Sequence, residues 1–140
     1  MSANTSDNKS RGLVQVYTGQ GKGKTTAALG QALRAVGHGL RVHMIQFVKA
    51  VDQTGEMRAA SMLSPYFSIE QYGTGRFIIG EPTEKDRELA RRGWTRAREL
   101  AKNEELFMLI LDEISHAVNK GLVSLDEVLD LIKNKPRRLE

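Results

Sequence analysis

A chain of 140 residues carrying a formal net charge of +4 is long enough to bury a core of its own without disulfides or structural zinc. It contains no cysteine, which excludes disulfides, thiolate catalysis and cysteine-based metal sites. The mild basicity suits an anionic ligand such as a nucleotide without calling for nucleic acid, and no segment approaches the roughly 20 apolar residues that span a bilayer.

Residues 1–11 are polar and lack the apolar core of a signal peptide. They are expected to form a flexible N-terminal segment, followed by a single nucleotide-binding α/β domain over residues 12–140 of a soluble, cytoplasmic protein.

Residues 13–17 predict a first strand. It runs into Thr18, Gly19, Gln20, Gly21, Lys22, Gly23, Lys24, Thr25 and Thr26, a loop of alternating Gly and Lys. A helix then follows over residues 25–36, with Leu29, Ala32, Leu33 and Val36 on one face and Gly37, His38 and Gly39 as its stop. Strand, glycine loop and helix N-terminus together build a phosphate cradle, in which backbone N–H groups converge on an anion. Lys24 can reach the phosphates and the Thr25 hydroxyl can ligate Mg²⁺. The general phosphate-loop pattern, G-x-x-x-x-G-K-[ST], needs a glycine at position 18, where this chain has Thr18.

Residues 40–48 predict a second strand, and residues 49–55 a loop at the same end of the sheet. Lys49 there reads equally as a nucleotide contact or a solvated lysine. A short helix over 56–63 and a third strand over 66–71 follow. Tyr72, Gly73, Thr74, Gly75, Arg76 and Phe77 form a glycine-rich connection. Thr83 and Asp86 make a capping box that opens a long helix. Its apolar stripe is Leu89, Ala90, Trp94, Ala97, Leu100 and Ala101, which places Trp94 in the core. The arginines of this helix alternate with Glu84, Glu88 and Glu99, an ion-paired face rather than a nucleic-acid stripe.

Residues 106–111 are six apolar residues in a row, a buried parallel strand ending in Asp112 and Glu113. Open α/β sheets place their ligands at that end. Asp112 would hold Mg²⁺, and Glu113 would orient water or a neighbouring side chain. His116 is read as a surface cap and His43 as a strand residue without a metal-binding partner. Ser124 and Glu127 cap a last helix running to about residue 133. Strands and helices alternate, so the fold class is α/β: a three-layer parallel sheet of the phosphate-loop NTPase type. Four strands are counted, one short of the usual minimum, and the sheet is expected to lack its last strand or strands.

The stretch from Tyr17 through Ala28 resembles the phosphate loop of the ATP:corrinoid adenosyltransferases of the cobalamin-synthesis type, which also carry Thr where the general pattern has Gly. The likeness continues through Gln46, Phe47, Val48 and Lys49, through Gly80, Glu81, Pro82 and Thr83, and through Leu111, Asp112, Glu113 and Ile114. The resemblance implies transfer of the 5′-deoxyadenosyl group of ATP to the cobalt of a Co(I) corrinoid, with release of triphosphate, and ATP bound in reverse of the usual phosphate-loop orientation. It implies that Gly21, Lys22, Gly23 and Lys24 cradle the triphosphate, with Thr25 on the metal and Thr26 adding a phosphate hydrogen bond; Gly19, Gln20 and Lys49 are counted beside them as candidate ATP contacts. Thr25, Asp112 and Glu113 would then form the Mg²⁺ shell, and Lys24, Thr25 and Glu113 would serve the reaction directly. No protein nucleophile is needed, because cobalt is the nucleophile. It further implies an electron-donating reductase and a homodimer, with neither membrane nor nucleic acid as partner.

Some members carry a Phe-x-Trp segment that displaces the lower axial ligand of the corrinoid. The comparable stretch here is Gly75, Arg76, Phe77, Ile78, Ile79 and Gly80, without Trp. Phe77 reads either as a partial substitute or as a core residue beside the sheet. Two alternatives to the transferase stand: a phosphate-loop ATPase, and an inactive ATP- or corrinoid-binding module.

Overall fold

The computed structural model describes residues 11–50 and 54–140. Almost all of the expected N-terminal segment, and residues 51–53 of the loop after the second predicted strand, lie outside the described residues. In chain order the elements are α1 (Lys24–Gly37), β1 (Arg41–Gln46), α2 (Gly55–Leu63), β2 (Phe67–Gln71), α3 (Glu84–Ala101), β3 (Leu106–Asp112), α4 (Ile114–Asn119) and α5 (Leu125–Asn134). The three strands form one parallel sheet in the order β2-β1-β3.

Central β1 is buried from Val42 onward because helices cover both faces of the sheet. Side chains alternate across a strand, so Val42 and Met44 meet Ala28, Ala32 and Ala35 of α1 and Ala60 of α2. Ile45, and Phe47 just beyond the strand, pack on the opposite face against Ala90, Trp94 and Ala97 of α3 and Ala117 of α4. Trp94 is 1% exposed, the core position expected of it. Both expected capping boxes form, Thr83 with Asp86 and Ser124 with Glu127.

Three sequence expectations need correction. Residues 13–17 join no ladder, so among the described residues three strands stand where four were counted. The outer edge of β3 is bonded instead by the last residue: Glu140 N–H donates to the Phe107 carbonyl at 2.9 Å, and Leu109 N–H to the Glu140 carbonyl at 2.8 Å. Residues 12–15 lie against this tail and not against β3; Gly12 N–H reaches the Arg137 carbonyl at 2.7 Å, and the Gln15 amide meets the Glu140 carboxylate. The tail offers residues 13–17 no strand to pair with, and Leu13 and Val16 are left exposed.

The buried stripe of α1 is Ala28, Ala32 and Ala35, while Leu33 is exposed. Small residues let α1 approach the sheet closely, and a leucine of that helix is turned outward. Helix α4 was not anticipated. It has only six residues, too few for a hydrophobic period to show in the sequence.

Candidate functional site

The glycine loop needs its glycines. Gly21 and Gly23 have φ of 98° and 115°, in the left-handed region that costs other residues steric strain. Gly23 is the N-cap of α1, and no side chain caps that helix end. Its first N–H groups therefore stay available to an anion. Lys24 folds back over the loop, its Nζ donating to the carbonyls of Gly19 and Gly21 at 2.8 Å each. Gln20, Lys22 and Thr26 are exposed around the loop.

Tertiary structure joins this loop to the end of β3. Thr25 Oγ1 donates to Asp112 Oδ1 at 2.7 Å, across 87 residues of sequence. The other carboxylate oxygen, Asp112 Oδ2, accepts from Lys49 Nζ at 2.8 Å and from Gln46 Nε2 at 3.3 Å. Gln46 Oε1 accepts in turn from Gln71 Nε2 at 3.0 Å. Gln46 is fully buried, and Asp112 is buried beside it. Parallel register makes this possible, since Gln46 pairs with Gln71 on one side and Asp112 on the other. Lys49 is thus an ion-pair partner of Asp112 rather than a solvated lysine. Gln46 and Gln71 were not among the expected site residues. A polar side chain closing the apolar run of β1 was the only signal for Gln46, and Gln71 had none.

Glu113 is the sole non-glycine residue with positive φ among the described residues, at 62°. It turns the chain from β3 into α4. Its side chain has no hydrogen bond among the described residues, so it is not bonded into the Thr25–Asp112–Lys49 cluster. Among the described residues no group of three or more His, Cys, Asp or Glu could hold a metal. Magnesium does not need such a group: it keeps waters and is held by one or two protein oxygens plus phosphate. The Thr25 hydroxyl and the Asp112 carboxylate are hard oxygen donors of that kind. The Lys49 ammonium on Oδ2 shows that the carboxylate already attracts a cation. The residues fit the ion.

The glycine-rich connection forms a strap over residues 73–80 at this end of the sheet. Gly73 presses on β1's continuation so closely that a Cβ would lie 2.0 Å from the Val48 carbonyl oxygen. Gly75 N–H donates to that same oxygen at 2.9 Å, and the Thr74 hydroxyl donates to Asp86. Farther along, Ile78 N–H donates to His116 Nε2 at 3.2 Å, and Lys120 Nζ to the Gly80 carbonyl at 3.3 Å. His116 is therefore an acceptor for the strap rather than a surface cap. Its ring meets Phe77 edge to face, with centroids 5.0 Å apart. Phe77 is 57% exposed and Ile79 is 95% exposed, so Phe77 is not a core residue.

A second polar cluster lies away from the loop and ties the sheet edge to α3. His43 contacts Ser68 through Nδ1, and its Nε2 lies 2.7 Å from Glu70 without a well-directed hydrogen bond. Burial lowers the His43 pKa, outweighing the pull of Glu70. For Glu70, burial pushes upward but Arg96, His43 and Tyr72 together win, and its pKa is lowered.

Residues 10–140 match the family model described as ATP:corrinoid adenosyltransferase BtuR/CobO/CobP. The chain belongs to the ATP:corrinoid adenosyltransferase family. It is 36% identical over 129 residues to a corrinoid adenosyltransferase of Escherichia coli strain K12, an alignment covering 91% of this chain and 64% of that protein. A corrinoid adenosyltransferase of Salmonella typhimurium is 35% identical over 127 residues, 90% of this chain and 63% of the relative. One from Pseudomonas aeruginosa is 32% identical over 126 residues, 90% of this chain and 62% of the relative. The chain thus spans somewhat less than two thirds of the length of these relatives. Among the described residues no helix is long and apolar enough to cross a membrane.

Proposed function

We propose that this protein transfers the 5′-deoxyadenosyl group of ATP to the cobalt of a Co(I) corrinoid. The observation that carries the reading is the Thr25–Asp112 hydrogen bond beneath a glycine loop with an uncapped helix N-terminus, in a chain of this family. Residues 12–140 act as one nucleotide-binding domain. The loop from Gly19 to Gly23 and the first N–H groups of α1 bind the triphosphate. Lys24 exchanges its loop carbonyls for phosphate oxygens, and Thr26 adds a further hydroxyl.

Thr25 and Asp112 would hold Mg²⁺, and Glu113 would orient water beside them. Bound there, the ion neutralises charge on the triphosphate. Cobalt attacks the 5′ carbon of ATP, the C5′–O bond breaks, and its electron pair leaves with triphosphate. Cobalt supplies both electrons of the new Co–C bond and passes formally from Co(I) to Co(III). The protein's part is to aim the carbon at cobalt and to stabilise the growing negative charge of the leaving group. Lys49, released from Asp112, is placed to meet that charge. Phe77 and Ile79 offer an apolar surface to the corrin ring. A reductase supplying Co(I), a homodimer and a cytoplasmic location complete the reading.

The test is anaerobic mixing of the chain with Mg-ATP and chemically reduced cob(I)alamin. A light-sensitive adenosylated product with equimolar triphosphate supports the transferase. Diphosphate plus phosphate identifies an ATPase instead. ATP binding without turnover, lost in Lys24→Ala, identifies an inactive binding module.

A further inference from the structure

Helix α4 begins immediately after Asp112 and Glu113, and its two faces do different things. Ala117 faces the core at 1% exposure. His116 within the helix and Lys120, which caps its C-terminal end, both reach the strap. His116 takes the Ile78 N–H and Lys120 gives to the Gly80 carbonyl, so two bonds hold the far half of the strap. The near half is held by Val48, the residue before Lys49. The exposed apolar pair Phe77 and Ile79 therefore hangs between two anchors. His116 lies four residues after Asp112, and Val48 one residue before Lys49.

We infer that His116 is a positioning residue: it fixes the strap so that Phe77 and Ile79 present a set apolar surface to the corrinoid, in register with the nucleotide site. The inference rests on the proposed function for the identity of that ligand, but not for the anchoring itself. Two properties of the imidazole are used. Nε2 accepts the Ile78 N–H, which otherwise has no bond to the described residues, and the ring edge braces Phe77. An unanchored strap would sample many positions, and ordering it would then weaken binding of whatever docks on it. The nucleotide loop, on the other side of Asp112, would be untouched.

The experiment uses the full chain and three variants. His116→Ala removes acceptor and ring, His116→Gln restores an acceptor oxygen, and His116→Phe restores only the ring. Amide exchange is followed at Ile78, and the affinities for Mg-ATP and for cob(II)alamin in the presence of Mg-ATP are measured. In His116→Ala the Ile78 amide should exchange about tenfold faster, the worth of one hydrogen bond. Cobalamin affinity should fall by a similar factor while Mg-ATP affinity stays within about twofold. His116→Gln should recover both protection and cobalamin affinity; His116→Phe should not recover protection. Unchanged exchange in His116→Ala overturns the anchoring. Faster exchange with unchanged cobalamin affinity, or equal losses for cobalamin and Mg-ATP, overturns the positioning role. A wild-type chain that takes up no cobalamin overturns the proposed function together with this role, and so is distinguishable from failure of the inference alone.

Discussion

Thr25, at the start of α1, and Asp112, at the end of β3, share a hydrogen bond of 2.7 Å. A hydroxyl and a carboxylate held this way are two hard oxygens aimed at one point beside a phosphate-binding loop. Thr25→Ala should lower affinity for Mg-ATP by roughly 10–100-fold, the usual range for loss of a group in a metal's shell. Thr25→Ser should retain most of it. Calorimetric titration of ATP with and without Mg²⁺ checks this, because ATP alone should bind both variants almost equally.

Lys49 neutralises Asp112 when no other cation is present. Lys49→Met leaves a buried carboxylate with only the Thr25 and Gln46 bonds, and should cost about 1–3 kcal/mol of stability. Mg²⁺ can take the place of the missing ammonium. Urea unfolding should therefore show a larger stabilisation by Mg²⁺ alone in the variant than in the wild type, the signature of tighter metal binding. Equal stabilisation would mean that Lys49 and the metal use different parts of the site.

Gly93 lies in the middle of α3, where alanine would ordinarily add about 1 kcal/mol of helix stability. Here a Cβ would lie 3.0 Å from Cβ and Cγ of Tyr72 and 3.2 Å from a ring carbon of Phe47. Neither neighbour is a loose side-chain end: one contact is at the root of Tyr72, and Phe47 is buried. Overpacking of this kind costs about 1–3 kcal/mol, so Gly93→Ala should destabilise despite its better propensity. A denaturation midpoint above that of the wild type would refute the close packing of α3 on the sheet.

Acid should weaken the protein in two stages. His43 has a folded pKa below its ordinary 6.5, because burial disfavours its charged form. The unfolded chain then binds the proton more readily, so stability is full above pH 6.5 and falls as pH drops through the folded value. Glu70, lowered from 4.5, adds a second loss below that pH as its carboxylate is protonated. His43→Gln should remove the first stage and shrink the second, because His43 is one of the groups that lower the Glu70 pKa. Chemical denaturation at several pH values from about 8 down to about 3 reads both.

Amide exchange separates the ladder from the expected strand that did not form. Amides of residues 42–46 should be strongly protected in the central strand, and those of 13–17 should exchange rapidly. Protection of both to the same degree would place residues 13–17 in the sheet.

Much of this was legible from residues alone. The glycine loop, the apolar run into Asp112 and Glu113, and both capping boxes depend on short spacings that a sequence displays directly. So does the amphipathic stripe that buries Trp94. The strand at residues 13–17 was misjudged because an apolar run records a preference for extended backbone and says nothing about whether a partner is present. In the structure Glu140 occupies the edge of β3, and the run has none. Helix α4 escaped because six residues cannot display a helical period.

By itself, then, the sequence determined the chemistry available: a phosphate loop, an acidic strand end, no thiols, and membership of a corrinoid adenosyltransferase family. Only the tertiary structure decided which groups meet. Lys49 turned out to be bound to Asp112, Gln46 and Gln71 to support that carboxylate, and His116 to hold the strap. The reason is physical. Each of these contacts is set by the register of parallel strands and by the packing of α4 on the core, and those are distances in space that no local spacing encodes.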